Sequence, residues 1–270
     1  MVVTPPVTTG RAAIDAAADR LWQAHANAAP CRPVRDLIEA GDVGAAYAAQ
    51  RVNTARHLGD GRRPIGWKVG LTSVAVQSQL GVDQPDFGIL FADTEVPDDV
   101  AVDPGTLLQP RVEAEVAFVL GADLTDEPVT AVDVIRATAF VLPAIEIVAS
   151  RIEGWDITIV DTIADNASAG AYVVGTRPMP LSSLDLRHLS MEMSGPDGVV
   201  SSGSGAACLG NPVNAVVWLS NALQRLGSPL HAGDLVLSGA LGPMVTVQAG
   251  AVYEATMSGL GSVRVRFASG

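Results

Sequence analysis

A ten-residue segment in the middle of the chain constrains the fold more than any other part of the sequence. In segment 111–120, RVEAEVAFVL, apolar residues occupy every second position, and Glu113 and Glu115 lie between them. Because side chains alternate between the two faces of a β-strand, this pattern predicts a strand with both carboxylates on one face. Their Cα atoms would lie about 7 Å apart. Two like charges at that separation repel by roughly 2 kcal/mol at an effective dielectric constant near 20. The pair therefore either faces water or serves a function.

A third carboxylate, Glu146, lies in the apolar segment 142–149, LPAIEIVA, which predicts a buried strand. A buried carboxylate costs several kcal/mol unless it is paired, protonated or bound to a cation. If Glu113, Glu115 and Glu146 converged, their oxygens would form a site for a hard cation, Mg²⁺ or Mn²⁺ rather than Zn²⁺. Two alternatives remain open. The glutamates at 113 and 115 could face solvent, and Glu146 could form a structural ion pair with a basic residue such as Arg151.

Two further charged residues lie in unusual surroundings. Lys68 carries the single charge in segment 65–71, IGWKVGL. A lysine among small and apolar residues can transfer protons or bind a substrate anion, unless it is an edge residue that reaches solvent. Asp86 belongs to segment 83–88, DQPDFG, which predicts a turn-rich loop. Segment 161–170 is predicted to be a polar loop whose side chains cap turns or line a site: Asp161, Asp165, Asn166 and Ser168.

Composition limits the partners of the chain. It has 17 Lys and Arg residues against 29 Asp and Glu, a net charge of −12. Such a charge disfavours nucleic acids and anionic membrane surfaces, and a small anionic substrate would need local positive charge or a metal ion. No segment has the length and apolarity of a membrane span, and the N-terminus lacks a signal-peptide pattern. We therefore expect a cytoplasmic protein in which Cys31 and Cys208 stay reduced.

The four histidines also exclude some chemistry. None of them falls between Lys68 and Asp165, the stretch that contains the candidate carboxylates. A zinc site with histidine ligands and a Ser-His-Asp triad therefore have little support there.

The order of predicted elements favours an α+β fold. Helical spacing dominates the first 64 residues, and short strands linked mostly by turns follow, which indicates a largely antiparallel or mixed, barrel-like sheet behind an N-terminal helical region. Helices are predicted at 11–29, 33–41, 42–58, 72–80, 132–139 and 212–227. Strands are predicted at 65–71, 111–120, 141–149, 171–174, 189–194, 199–204, 235–237, 245–247, 251–257 and 262–267.

Several motifs occur together in one order along the chain. They are GWKVGLT (66–72), LGVDQPDFG (80–88), QPRVEAE (109–115), LPAIE (142–146), DTIADNAS (161–168) and SGALG (238–242). From about residue 11 to 268 the sequence resembles the 2-keto-4-pentenoate hydratases, also called 2-hydroxypenta-2,4-dienoate hydratases, of the fumarylacetoacetate hydrolase superfamily. Several long motifs in a shared order are far more specific than any one of them.

The resemblance implies a fold and a site. It implies an N-terminal helical region (1–64) and a catalytic, metal-binding domain (65–270) with a mixed β-roll or barrel-like sheet of the fumarylacetoacetate hydrolase type. It implies Mg²⁺ or Mn²⁺ held by Glu113, Glu115 and Glu146. Lys68 and Asp86 match active-site positions of the family, and Ser168 and Ser238 lie in motifs that line its pocket.

The resemblance also implies an activity. The expected reaction adds water to a small anionic 2-hydroxydienoate in bacterial meta-cleavage catabolism of aromatic compounds. The expected enzyme is a cytoplasmic homo-oligomer, and association with other enzymes of the pathway is a further expectation. Two alternatives remain: a 4-oxalocrotonate-type decarboxylase of the same superfamily, and a non-catalytic partner subunit of such a decarboxylase. The intact set of Lys68, Glu113, Glu115 and Glu146 argues against the non-catalytic alternative.

Overall fold

The structure is a computed structural model, which describes residues 8–73, 77, 84–97 and 100–269. No helix in these ranges combines the length and the apolar character that crossing a membrane requires. The α-helices are α1 (Arg11–Ala26), α2 (Val43–Gly59), α3 (Ala131–Ala137), α4 (Ile159–Ala164) and α5 (Pro212–Arg225). The strands are β1 (Pro64–Gly70), β2 (Asp86–Phe91), β3 (Ala101–Val102), β4 (Arg111–Leu120), β5 (Thr138–Val148), β6 (Ala169–Val174), β7 (Ser190–Gly195), β8 (Gly198–Ser204), β9 (Leu235–Ala240), β10 (Val245–Thr246), β11 (Val252–Met257) and β12 (Gly261–Phe267).

The larger sheet is mixed and curls toward a barrel. Its strands lie in the order β2-β1-β9-β4-β5-β6, with β10 paired to β4. Strands β1 and β9 are parallel, and the other pairs in this sheet are antiparallel. Glu95, just after β2, forms a bridge to Tyr172 on β6, and the N–H of Val96 donates to the Tyr172 carbonyl at 2.8 Å. The two outer strands are thereby joined, which confirms the expected mixed, barrel-like α+β fold.

The second sheet has the order β3-β12-β11-β7-β8. Strands β11 and β12 bury every second residue, as the alternating sequence predicts. One hydrophobic cluster includes residues of this sheet, of the larger sheet and of helices α1 and α2. The division of the chain at residue 64 stays a prediction, because the N-terminal helices share that core.

The larger sheet carries a smaller apolar cluster on its other face. The cluster contains Leu90, Ala117, Leu142, Ala144, Tyr172, Leu235 and Leu237. Ala117 continues the face of β4 that carries Glu113 and Glu115, because these residues are two positions apart. The carboxylates therefore lie beside an apolar interior, and Glu115 and Glu146 are buried there.

The predicted helix at 33–41 is wrong, since this segment forms turns. The carboxylate of Asp161 accepts hydrogen bonds from the backbone N–H groups of Val34 (2.8 Å) and Arg35 (3.0 Å). It also pairs with the Arg35 guanidinium at 2.8 Å. The Asp161 side chain, distant in sequence, thus accepts hydrogen bonds from the backbone N–H groups at the start of this segment. Helix propensity, which is a local property, does not indicate that contact.

The loops predicted around Asp86 and at 161–170 also need correction. Asp86 begins β2, whose six residues are all buried, so it is not a turn residue. Residues 161–164 belong to helix α4, where Asp161 accepts from the N–H of Thr158 at 2.8 Å and so caps the helix. Most of the helix predicted at 72–80 lies outside the described residues. The two cysteines, Cys31 and Cys208, are unpaired as expected.

Asp42 caps helix α2 and supports a test of N-terminal stability. Its carboxylate is 5% exposed and accepts hydrogen bonds from the N–H groups of Thr8, Thr9 and Ala45 at 2.8, 2.8 and 2.9 Å. Burial raises the pKa of Asp42, but these hydrogen bonds outweigh burial and hold the pKa at about 2. The stabilisation is therefore present above the unfolded pKa of about 3.9 and is lost as the pH falls toward 2.

We expect Asp42→Ala to lower the free energy of unfolding at pH 7 by roughly 1 to 2 kcal/mol. Urea denaturation at pH 7 and pH 3 should show that its deficit relative to the wild type shrinks in acid. Asp42→Asn, which keeps a capping oxygen without the charge, is the matched control and should lose less at pH 7. Equal stability of Asp42→Ala and the wild type at pH 7 would contradict this role of the cap.

Candidate active site

Pairing of β4 with β5 brings the three predicted carboxylates together. Glu113 lies directly opposite Glu146 in the antiparallel register, and Glu115 follows two positions along β4 on the same face. One oxygen from each of the three carboxylates lies within 4.8 Å of the others. The residues therefore converge as expected, and the alternative of a solvated pair at 113 and 115 is wrong for Glu115, which is 1% exposed.

Glu115 and Glu146 are buried, Glu113 is partly exposed, and some of the buried carboxylate oxygens lack a partner among the described residues. Glu146 is fully buried; its Oε2 has no partner among the described residues, whereas its Oε1 lies 3.1 Å from Lys68 Nζ. Glu115 Oε2 accepts the N–H of Gly239 at 2.8 Å, while Oε1 has no partner in the same part of the chain. Unsatisfied carboxylate oxygens are costly in a protein interior. Their convergence on one point is the arrangement that a bound cation would stabilise.

Electrostatics supports the same conclusion. Burial raises the pKa of Glu113 to about 7, against the opposing charge of Lys68 and with a further rise from Glu146. Burial and the neighbouring carboxylates raise the pKa of Glu115 well above its ordinary value. The pKa of Glu146 is raised by burial, although Lys68 opposes the rise. The cluster therefore favours either a proton or a cation, and an all-oxygen donor set suits a hard divalent ion.

Lys68 on β1 provides the one cation that pairs with this cluster in the described structure. Its Nζ lies 3.1 Å from Glu146 Oε1 and donates to the carbonyl of Ala167 at 2.8 Å. Lys68 is 3% exposed, so the alternative of an edge lysine is wrong. Burial lowers the pKa of Lys68, but the carboxylates of the cluster outweigh burial and raise it. Arg151 is not the partner of Glu146, because it pairs with Asp165 instead.

Asp86 lies beside Lys68 at the first position of β2. Its Oδ2 accepts the hydroxyl of Thr162 at 3.1 Å, whereas Oδ1 is buried without a partner among the described residues. Burial raises its pKa, although Lys68 opposes the rise. Gly70 lies opposite Asp86 in the β1–β2 register, and a Cβ on Gly70 would stand 2.2 Å from Asp86 Oδ1 and 3.5 Å from Lys68 Nζ. A side chain at position 70 would therefore collide with the Asp86 carboxylate in its present position.

The two predicted serines have buried hydroxyls without partners in the described structure. Ser238 lies on β9, next to the Gly239 N–H that binds Glu115, and Ser168 lies on the turn that follows α4. Asn166, Ala167 and Ser168 all adopt left-handed backbone angles, with φ of 55°, 50° and 54°. The Asn166 side chain fixes this turn by bonding both the N–H (2.8 Å) and the carbonyl (3.0 Å) of Ile89. Backbone strain of this kind persists where surrounding contacts enforce it, often at functional sites.

A cavity of about 400 Å³ reaches part of this site: Lys68, Asp86, Glu113 and Ser168 line it, whereas Glu115, Glu146 and Ser238 lie behind its lining. Its polar wall contains Lys68, Thr72, Asp86, Glu113, Thr162 and Ser168. Its apolar wall contains Leu71, Val148, Trp155, Ile157, Leu241 and Met244. Sequence reasoning missed Trp155, which no local pattern distinguishes from an ordinary core residue, and it assigned no role to Thr162, although Thr162 lies in the DTIADNAS motif. Gly239 had a signal in the SGALG motif. It has φ of +111°, and a Cβ there would stand 2.4 Å from Thr72.

Comparisons with known proteins agree with the sequence motifs. The family model described as fumarylacetoacetate (FAA) hydrolase C-terminal matches residues 51–268. The chain is 53% identical to 2-keto-4-pentenoate hydratase 2 of Dechloromonas aromatica (strain RCB), over 97% of this chain and 100% of that protein. It is 54% identical to the TodF product hydratase of Pseudomonas putida, over 97% of each chain.

A solved structure shows the same architecture. The 4-oxalocrotonate decarboxylase from Pseudomonas putida G7, complexed with magnesium and adipate, superposes with a TM-score of 0.92 at 34% identity. The match covers 96% of this chain and 99% of that one. Identity to both hydratases is higher than to this decarboxylase. The chain therefore belongs to the 2-keto-4-pentenoate hydratase family, a group of carbon–oxygen lyases built on the fumarylacetoacetate hydrolase fold.

Proposed function

We propose that this protein is a divalent-metal-dependent hydratase that converts 2-hydroxypenta-2,4-dienoate to 4-hydroxy-2-oxopentanoate in meta-cleavage catabolism of aromatic compounds. The observation that carries the proposal is the convergence of Glu113, Glu115 and Glu146 within 4.8 Å beside Lys68. The names of the hydratase relatives support the reaction. The cytoplasm and a homo-oligomeric assembly belong to the proposal as expectations that the sequence raised.

The three glutamates would hold Mg²⁺ or Mn²⁺. An ion there would supply Lewis-acid polarisation of the substrate carboxylate and its 2-oxygen. Glu115 Oε1 and Glu146 Oε2, which have no partner among the described residues, support this assignment, as does the magnesium in the related decarboxylase structure. Three carboxylates and one dication leave a net charge of −1, so the cation of Lys68 is still needed before an anionic substrate is tolerated.

The reaction needs two proton relocations and one water. In the first step the 2-hydroxyl loses its proton and C5 gains one, which converts the dienol to 2-oxopent-3-enoate. In the second step the hydroxyl of water bonds to C4 while a proton arrives at C3. The substrate gains one molecule of water, and no oxidant or reductant takes part.

Lys68 and Asp86 are the proposed proton-handling residues. Lys68 Nζ has one N–H directed at Ala167 and is otherwise next to Glu146, so it can donate toward a ligand in the cavity. Asp86 Oδ1 is an acceptor with no partner among the described residues. General acid–base catalysis requires such groups within hydrogen-bond reach of the reacting atoms. The hydroxyls of Ser168 and Ser238 are proposed to bind substrate or water.

Product analysis tests this proposal directly. The purified chain is mixed with Mg²⁺ and 2-hydroxypenta-2,4-dienoate in water enriched in ¹⁸O, and the products are identified by mass spectrometry. We expect a product heavier than the substrate by one labelled water, with the label at C4. With 2-hydroxymuconate as a second substrate, release of CO2 in place of water gain would favour the decarboxylase. No conversion of either acid would favour the non-catalytic subunit.

A further inference from the structure

Arg111 lies on the same face of β4 as the candidate metal ligands. It precedes Glu113 by two positions and Glu115 by four, so the three side chains point the same way. The guanidinium carbon of Arg111 stands 4.4 Å from the centre of the Trp155 ring, and Nη1 lies 3.4 Å from Met244 Sδ. Trp155 and Met244 both line the 400 Å³ cavity. Arg111 is not itself a lining residue, but these two contacts place its guanidinium next to the rim of that cavity.

The rim residue Trp155 is held in place by strained backbone. Trp155 and Gln109 have φ of 56° and 52°, which bulky residues rarely adopt. The indole N–H of Trp155 donates to the Gln109 carbonyl at 3.0 Å. The Gln109 side chain donates to the Ile152 carbonyl at 2.7 Å and accepts the Gly154 N–H at 2.7 Å. Strain that several contacts enforce indicates that the position of the indole, and of the guanidinium on it, matters.

Arg111 differs from the other buried or half-buried arginines in its charge partners. Arg20, Arg35, Arg56, Arg62 and Arg151 each pair with an aspartate. Arg111 forms no ion pair with the described residues, and its guanidinium contacts an aromatic ring and a thioether. Lys68 is the one Lys or Arg in the described cavity lining, and it is already committed to Glu146. Arg111 is therefore a cation beside the cavity that forms no ion pair with the described residues, although the Glu113 carboxylate two positions along β4 interacts with its charge.

We propose that Arg111 is a substrate-binding residue that donates hydrogen bonds to a carboxylate of the ligand at the rim of the cavity. The inference rests on the proposed function, because it takes the cavity to be the site of a 2-oxo acid. A guanidinium binds a carboxylate through two parallel N–H bonds, and stacking on Trp155 fixes its plane for that geometry. The carboxylate is either the one next to the 2-oxygen or a second one at the far end of a diacid.

Two acids that lack a carbon–carbon double bond, and so cannot gain water at C4, distinguish these two carboxylates. They are 2-oxohexanoate and 2-oxohexanedioate, which have equal chain length and differ in one terminal group, methyl against carboxylate. Their dissociation constants are measured by calorimetry with Mg²⁺ present, for the wild type, Arg111→Met and Arg111→Lys. We expect Arg111→Met to weaken binding about tenfold, with Arg111→Lys intermediate. Weaker binding of both acids identifies the inner carboxylate, and weaker binding of the diacid alone identifies the distal one.

The control is Arg136→Met on α3, which changes the net charge equally but removes an exposed arginine beside a separate cavity that Asp126 and Asp133 also line. It should leave both dissociation constants unchanged. If Arg111 binds the inner carboxylate, Arg111→Met should raise KM for 2-hydroxypenta-2,4-dienoate with little change in kcat, as expected for a binding residue. Equal affinities of the wild type and of folded Arg111→Met for both acids would overturn the role of Arg111 alone. Failure of the wild type to bind either acid would overturn the proposed function together with this inference.

Discussion

Glu113→Gln is expected to lower kcat by on the order of a thousandfold and to abolish stabilisation by Mg²⁺ or Mn²⁺. Such a loss corresponds to several kcal/mol, the scale of a metal's contribution to a transition state. Glu113 is the most informative of the three glutamates to substitute. Glu146 also pairs with Lys68, and Glu115 also binds the Gly239 N–H, whereas no such contact is found for Glu113 among the described residues. The amide has nearly the same shape as the carboxylate, so only the charge and the ligand oxygen are lost.

Thermal unfolding supplies a readout that does not depend on turnover. Carboxylates within 4.8 Å repel by roughly 3 kcal/mol per pair at an effective dielectric constant near 20. Without metal, Glu113→Gln should therefore unfold at a higher temperature than the wild type, because one repelling charge is gone. With millimolar Mg²⁺ the wild type should gain stability and the variant should not. Metal-dependent stabilisation of Glu113→Gln equal to that of the wild type would contradict the assignment of this residue as a ligand.

The pH dependence of the metal-free protein has a definite sign. Glu113 has its pKa raised from an ordinary 4.5 to about 7, so the folded state binds its proton more tightly than the unfolded state does. Its contribution to stability is complete below pH 4.5 and is lost as the pH rises through 7. Urea titrations between pH 4.5 and 7.5 should show that loss in the wild type and a smaller one in Glu113→Gln.

Local sequence patterns predicted the elements that carry the site but not the contacts between them. Alternation in β4 placed Glu113 and Glu115 on one face, and the isolated charge of Glu146 indicated a buried carboxylate. The register that sets Glu113 opposite Glu146 is a long-range property of the sheet. Physical reasoning from the sequence left that convergence open, and the family resemblance supplied it.

The wrong predictions for Asp86 and for the partner of Glu146 arose where contacts with residues distant in sequence outweighed local sequence preference. The DQPDFG segment has turn residues, yet pairing with β1 draws Asp86 into a buried strand. Arg151 is closer to Glu146 in sequence than Lys68 is, but the turn after α4 gives Arg151 its own carboxylate, Asp165. Gly70 carried a readable signal, since a glycine at the end of an apolar strand often marks a close approach. Nothing local in the sequence indicates which group makes that approach.

Lys68→Met is expected to separate metal binding from chemistry. The variant keeps all three glutamates, so stabilisation by Mg²⁺ should persist and should be at least as large as in the wild type, because a cation next to Glu146 has been removed. Turnover should fall by about a hundredfold or more, the usual contribution of a positioned acid or base. Without metal, the variant should be less stable than the wild type, since Glu146 then lacks its buried counter-charge.

The contrast between the two variants tests the division of roles within the site. Glu113→Gln should lose metal binding and turnover together, whereas Lys68→Met should lose turnover alone. Lys68→Arg is the matched control for charge: it keeps the ion pair, but it cannot give up a proton and is too large to keep the 2.8 Å contact with Ala167 unchanged. We therefore expect Lys68→Arg to regain the stability of the metal-free protein and to remain poorly active. Loss of a proton-transfer group should lower kcat by about a hundredfold or more. If Lys68→Met retained more than about a third of wild-type kcat, Lys68 would be a structural counter-ion. Asp86 would then remain as the proposed proton-handling residue.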